Sequence, residues 1–527
     1  MQYCVDRKRG CDRIILSCAI RFGEPDIECP SSQPQDDCPR RTKCPTGWLK
    51  PGLVKIVIPL AQVGEQAACY VQAKAIEDRE GEGGVVHDDT SVSIDDPFRA
   101  GKASYERLPL TEACSNAFAM ANSVQFGIDR LLASPDLIAQ LGDRRVALVA
   151  HPASVTADLT HSLDALITAG VNVSSAFGPQ HGLKGDKQDN MVETADEMDA
   201  QYGIPIFSLY GEVRRPTGQM MSSADVFLFD LQDLGCRIYT FVTTLLYLLE
   251  EAEKHGKEVW VLDRPNPAGR PVEGTLLVPG QESFVGAAPM PMRHGLTLGE
   301  MGHWFVEHFN LDVAYKVIAM EGWQPDAGDG SVASGFGWPA SRIWINPSPN
   351  AASVNMARCY AGTVMLEGTT LSEGRGTTRP LEVLFGAPDV DAKAVAAEML
   401  AFAPDWCSGV RMRDCWFEPT FHKHAGKLCN ALMLHAEGPD YDHDAFKPWR
   451  MQALAFKAIR RLYPDYDLWR DFPYEYELDR LAIDVINGGP ALREWVDNPD
   501  ASPHDLDNAA SHDEAAWVQA VRGHLLY

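Results

Sequence analysis

Over residues 124 to about 290 the sequence predicts an α/β fold, a doubly wound parallel sheet of the Rossmann-like kind, and two observations carry that prediction. The first is a series of short apolar runs: "RVALVA" (145–150), "VNVSSAF" (171–177), "IPIFSLY" (204–210), "DVFLFD" (225–230) and "EVWVLD" (258–263). Runs of that length, rich in β-branched residues, read as strands covered on both faces, which is how parallel strands read. The second observation is that stretches with helical spacing of apolar residues separate them. "IYTFVTTLLYLLEEAEKHGK" predicts a helix between the fourth and fifth strands, stopped at its His-Gly-Lys end. Asp158 before "LTHSLDALITAG" predicts an N-cap, with Gly170 closing that helix. Further on, Thr297 and Glu300 form the capping box of a helix beginning in "RHGLTLGEMGHWF", and "FKPWRMQALAFKAIRRLYP" (446–464) is a packing helix that Pro464 stops.

Composition narrows the function classes. A chain of 527 residues with 45% hydrophobic and 9% aromatic content buries a large core. A formal charge of -26 argues against nucleic acid or an anionic membrane surface as partner, because either would be repelled by the overall field. No window approaches the roughly 20 apolar residues of a membrane-spanning helix, and the early run "IILSCAI" is too short for a signal-peptide core, so a cytoplasmic location is expected.

The first 123 residues differ from the rest. They hold eight of the thirteen cysteines, and the spacing of Cys4, Cys11 and Cys18 matches neither a zinc knuckle nor a redox pair, so no metal is expected. Residues 24–51 and 77–98 offer no periodic apolar face, which predicts a poorly ordered extension. Met120 lies directly before "ANSVQFGIDRLL", where regular patterning begins, and marks an expected start of translation.

In open sheets of this kind ligands bind beyond the carboxyl ends of the strands. Those ends carry "GPQHGLKGD", "SLYGEVRRPT", "DLQDLGCRIYTF" and "DRPNPAGRPVEG", and one cleft collecting them would hold His181, Glu212, Asp230, Asp233, Arg237, Tyr239, Asp263, Arg264 and Asn266. Asp230 and Asp233 bracket a strand end, where capping the next helix competes with a role in the cleft. Arg237 and Arg264 have the fork geometry that grips a carboxylate, or they pair with a neighbouring Asp. Tyr239 is either a stacking platform for a sugar face or the first buried residue of its helix. Asp263, leading into the "RPNP" loop that two prolines fix, is expected to support Asn266. The signatures G-x-G-x-x-G, G-x-x-x-x-G-K-[ST] and G-x-S-x-G are absent, which argues against a dinucleotide, a P-loop and a serine-hydrolase elbow, and no cofactor is expected.

"PQHGLKGD", "IPIFSLYGEVRRPT", "DVFLFDLQDLGCRIYTF", "LDRPNPAGRPVEG", "HGLTLGE", "PSPN" and "EGTTLSEGRGTTRPLEVLFGAP" together, in this order, resemble the exo-β-N-acetylmuramidases of the NamZ/YbbC type. The resemblance spans about residues 124 to 527 and implies a Rossmann-like catalytic domain, here 124–293, followed by a smaller α/β domain, here 294–527. It also implies removal of terminal N-acetylmuramic acid from the non-reducing ends of peptidoglycan fragments, so a muropeptide or amino-sugar oligosaccharide is the expected partner. One departure stands out. Members of this family read Pro-Glu-His-Gly where this chain has Pro179, Gln180, His181 and Gly182, and that glutamate resembles the family's main catalytic carboxylate.

Glycoside hydrolysis requires an acid for the leaving oxygen, and general acid catalysis is worth about 10²- to 10⁴-fold. Without a carboxyl at 180, Glu212 is the first expected substitute and His181 the second, since a histidine titrates near neutrality. Gln180 is left to position water or the substrate's acetamido group. His294, Asn350 and Arg375 complete the expected substrate contacts, with His422 and His424 too sparse to suggest a metal. The rival reading is a non-hydrolytic carbohydrate-binding or sugar-modifying protein on the same cleft; a nucleotide-sugar transferase is weakened by the missing phosphate-binding glycines.

Overall fold

The computed structural model describes residues 124–188, 191–325 and 337–527, together with the backbone of four strands before them. Those strands, β1 (Gln2–Tyr3), β2 (Arg13–Ala19), β3 (Leu53–Pro59) and β4 (Ala73–Lys74), pair antiparallel in a unit that ends at Asn122. The cysteine side chains of that region, residues 24–51 and 77–98, and Met120 lie outside the described residues.

The second unit, Ser123–Tyr527, is built on a seven-stranded sheet. Its strands are β5 (Val146–Val149), β6 (Val173–Gly178), β7 (Glu197–Met198), β8 (Pro205–Ser208), β9 (Val226–Phe229), β10 (Glu258–Leu262) and β11 (Ala314–Ile318). Their spatial order is β11-β10-β9-β5-β6-β8-β7, with β7 antiparallel at the edge and the other neighbours parallel. Counting only the six parallel strands in chain order, the arrangement is 3-2-1-4-5-6, the doubly wound order. All five expected strands are present. A boundary at residue 293 falls short of β11, which pairs along its whole length with β10, so the large sheet draws on residues beyond it.

The central strands are apolar on both faces because both faces are covered. Ala147, Val149, Phe227, Phe229, Val259 and Val261 point into one core, and Val146, Leu148, Val226, Leu228, Trp260 and Leu262 into the other, alternating as the pleat requires. The first core continues without a break into the C-terminal half, where it includes Trp449, Phe456 and Ile483. That half carries a three-stranded antiparallel sheet, β12 (Val383–Ala387), β14 (Cys429–His435) and β13 (Arg411–Phe417), in that order, packed with the helix Pro448–Leu462.

Caps follow local chemistry. The helix Phe241–His255 ends at Gly256 in the left-handed region (φ 60°), and Thr297 with Glu300 forms the expected capping box. Asp158 does not cap its helix. His161 does, accepting from the Leu163 N–H at 3.2 Å, while Asp158 accepts from Thr156 in the preceding turn. Asp263 does not support Asn266; it caps the helix after Thr297, accepting from Thr297 Oγ1 at 2.7 Å and the Gly299 N–H at 2.9 Å.

Candidate active site

The crevice where the doubly wound order reverses lies beyond the carboxyl ends of β5 and β9, and it narrows to a small pocket over a floor of paired polar groups. Asp230, at the end of β9, is fully buried and takes two bonds from Arg264, Nε at 2.6 Å and a terminal nitrogen at 3.0 Å, with Ser162 Oγ donating at 2.5 Å. His151, at the end of β5, is buried among these groups and its pKa falls to about 3, chiefly through burial. Nothing here offers an unpaired charge to a ligand.

The neighbouring strand-end residues are equally committed. Asp233 accepts from the Gly235 N–H at 2.6 Å and lies 3.3 Å from His294 Nε2; both residues are buried. Asn266 donates to the carbonyls of Gly269 and Leu296. Arg237 donates to the carbonyls of Thr275, Met290 and Ile486, which ties the loop after β9 to the C-terminal half instead of gripping a substrate carboxylate. Glu212 is exposed and does not line the cleft described next. These positions, expected in one cleft, are therefore distributed between a buried framework and the surface.

A cleft does form one strand further out, at the end of β6, and its opposite wall comes from the C-terminal half. Its lining includes Gln180, His181, Tyr239, Asn350 and Arg375 from the expected set. It also includes Thr240, Tyr360, Glu367, Tyr474 and Glu475, which sequence reasoning overlooked.

The first wall follows from a tight turn. A Cβ on Gly178 would lie 2.5 Å from the Leu183 nitrogen, so β6 can stop and reverse there only at glycine. The Gly182 N–H donates to the Pro179 carbonyl at 2.8 Å, and His181 has φ 72°, as at the third position of a type II turn. Left-handed backbone at a non-glycine residue costs about 1–2 kcal/mol. The His181 ring holds the turn by donating from Nδ1 to the Lys187 carbonyl at 2.7 Å, and Gln180 is carried into the cleft. Asn350 secures the same loop, exchanging hydrogen bonds with the Gln188 side chain (3.2 Å) and carbonyl (2.8 Å).

The second wall is a tight hairpin at Tyr474–Glu477. The Glu477 N–H donates to the Tyr474 carbonyl at 3.0 Å, and both central residues are left-handed, Glu475 at φ 48° and Tyr476 at φ 70°. Turns with two positive φ values favour Asn-Gly, so Glu-Tyr in that place stores strain of the kind found at functional sites.

The strain delivers a carboxyl. Glu475 is buried at 5% exposure and accepts from Tyr210 OH at 2.8 and 3.0 Å and from Gln180 Nε2 at 3.3 Å. Gln180 Oε1 accepts in turn from Thr240 Oγ1 at 3.0 Å, so the amide is oriented from both sides. Burial pushes Glu475 up to about 7, with nearby Glu367 adding to the rise and the Tyr210 bond and Arg214 opposing it. Glu367 sits differently: Arg375 donates to it at 2.5 Å and Tyr474 OH at 2.7 Å. Arg375 also lies 3.2 Å from Glu373, which Lys423 and His422 approach as well, so its guanidinium reaches the cleft already paired. Tyr239 contributes an aromatic wall, edge-on to Phe241 at 4.6 Å and Tyr360 at 5.8 Å.

Fold and site together define a protein whose Rossmann-like sheet has a narrow crossover crevice floored by paired charges and whose polar cleft opens between that sheet and a smaller α/β half. The N-terminal domain of the exo-β-N-acetylmuramidase NamZ family matches residues 146–355 and its C-terminal domain residues 358–527. The chain belongs to this family. The peptidoglycan β-N-acetylmuramidase NamZ of Bacillus subtilis (strain 168) is 35% identical over 386 residues, 73% of this chain and 86% of the relative. Two solved structures from Bacteroides fragilis, both DUF1343 family proteins, each align over 77% of this chain and 99% of their own. Their TM-scores are 0.65 at 26% identity and 0.58 at 23% identity.

Proposed function

We propose that the chain is a glycoside hydrolase that removes terminal β-N-acetylmuramic acid, or a closely related amino sugar, from the non-reducing end of peptidoglycan fragments. The observation that carries this reading is membership of the NamZ family across both halves of the chain, in a protein whose cleft is lined from both halves. A cleft with an aromatic wall, a fixed amide and two buried carboxyls has the mixed lining that holds a sugar: flat apolar surface for a ring face and directed polar groups for its substituents.

The test is hydrolysis by the full chain of a chromogenic β-N-acetylmuramide beside the matching β-N-acetylglucosaminide. Release from the muramide, with slower or no release from the glucosaminide, is the expected result. No release from either by folded protein removes the reading. Gln180, an amide in the cleft where the resemblance implies a glutamate, favours one alternative, a carbohydrate-binding protein that kept the cleft without turnover. Calorimetric binding of the intact disaccharide with no product formed would select that alternative.

A further inference from the structure

We propose that Glu475 is the catalytic acid of this chain, its carboxyl entering from the C-terminal wall to do the work that a carboxyl at position 180 would do. The inference rests on the hydrolase reading above and names the group that performs it. Position 180 carries an amide, which has no proton to give a leaving oxygen, and Glu212 is exposed away from the cleft. Glu475 reaches the same spot from the facing hairpin, close enough for Gln180 Nε2 to donate to it at 3.3 Å. The Gln180 amide and the Glu475 carboxyl therefore occupy adjoining positions although they lie 295 residues apart in the chain.

The surroundings separate Glu475 from the buried acids nearest to the two clefts. Asp230, Glu367 and Glu373 each have an Arg or Lys partner within 2.8 Å. Among the described residues, Glu475 accepts only from the uncharged donors Tyr210 and Gln180, with Arg214 acting on it without a direct bond. The other titratable groups lining the cleft are Glu367 with its paired Arg375, Tyr474 on the same hairpin, and His181, Tyr239 and Tyr360. A buried carboxyl held by neutral donors keeps its proton near neutrality, which suits a general acid. In the reaction the Glu475 proton passes to the glycosidic oxygen as the C1–O bond breaks, and the bonding pair stays on that oxygen. Water adds at C1, and the proton it loses restores the Glu475 carboxyl. Gln180, fixed by Thr240, is a positioning residue that orients this carboxyl.

The experiment compares Glu475→Gln with wild type on two substrates: N-acetylmuramic acid β-linked to N-acetylglucosamine, whose leaving alcohol needs a proton, and 4-nitrophenyl β-N-acetylmuramide, whose phenolate hardly does. The expected loss is about 10²- to 10⁴-fold in kcat/KM on the disaccharide, under about tenfold on the nitrophenyl glycoside, and disappearance of a basic limb near pH 7. Equal losses on both substrates, or a disaccharide rate within about threefold of wild type, overturn the assignment while leaving the hydrolase reading intact. Wild-type protein inactive on both substrates overturns both. Should the variant fail to fold, the wild-type pH profile decides: a disaccharide rate without a basic limb between about pH 6 and 8 is incompatible with Glu475 as the acid.

Discussion

Two buried carboxyls, Asp230 at the end of β9 and Glu475 on the C-terminal hairpin, show how differently one protein can treat the same chemical group. Asp230 is matched by a two-point bond from Arg264 and by Ser162, so its charge is fully answered and it is chemically silent. Glu475 is also buried, though it lines the cleft, and among the described residues it receives only a phenol and an amide, which leaves its proton in play near neutral pH. The lesson is that burial raises a carboxyl's hold on its proton where no bonded cation offsets it, and that such a carboxyl can act as an acid only where it also lines a cleft.

The sharpest way to break the contrast is Asp230→Asn. It strands Arg264 in a dry crevice, and removing one partner of a buried pair costs about 3–5 kcal/mol; urea denaturation should show this loss at any pH between 6 and 8. Glu475→Gln should do the opposite at pH 8, leaving the protein at least as stable as wild type, because an ionised carboxylate is no longer held in the cleft. The sign follows from the raised value. Glu475 binds its proton up to about 7 when folded but releases it near the ordinary 4.5 when unfolded, so its contribution to stability falls as pH rises through that interval. Asp263, raised to about 6 mainly by burial and then by Glu300, adds to the same slope, and denaturation midpoints measured from pH 5 to 8 should show the slope flatten in Glu475→Gln.

A smaller effect is expected from Tyr210→Phe, which removes the hydrogen bond that favours ionised Glu475. The basic limb of the disaccharide pH profile should move upward by about one unit, since a bond to the charged form holds a carboxyl pKa down. A limb that stays in place would mean Tyr210 has no part in tuning it. The smallest effect belongs to Glu212→Gln: an exposed position away from special contacts should change stability by less than about 0.5 kcal/mol and leave hydrolysis unaltered.

The sheet was legible because both of its faces are buried, which turns each strand into a continuous apolar run such as "DVFLFD". Edge strand β7, exposed at both residues, left no such trace. Within the site, the Pro179–Gly182 loop was readable from its composition and position after a strand. Glu212 was misread because Tyr210 and Glu212 leave the same strand end, yet Tyr210 turns inward, completely buried, and the carboxylate two residues on faces solvent. Glu475 was invisible for a different reason. "FPYEYELDR" carries no periodicity, and only the fold brings it against a loop almost three hundred positions earlier. The one local hint was a glutamate between two tyrosines, and left-handed backbone at Glu475 and Tyr476 cannot be read from residue types that rarely adopt it.

The apolar layer shared by the large sheet and the C-terminal half has a consequence for how this protein can be taken apart. Severing the chain between residues 355 and 358 would leave each fragment with one side of that layer open to water, a sticky surface rather than a finished one. Neither fragment would own a complete cleft, so hydrolysis should be absent from each alone and return only when the fragments are refolded in one vessel, with a rate that depends on how concentrated they are.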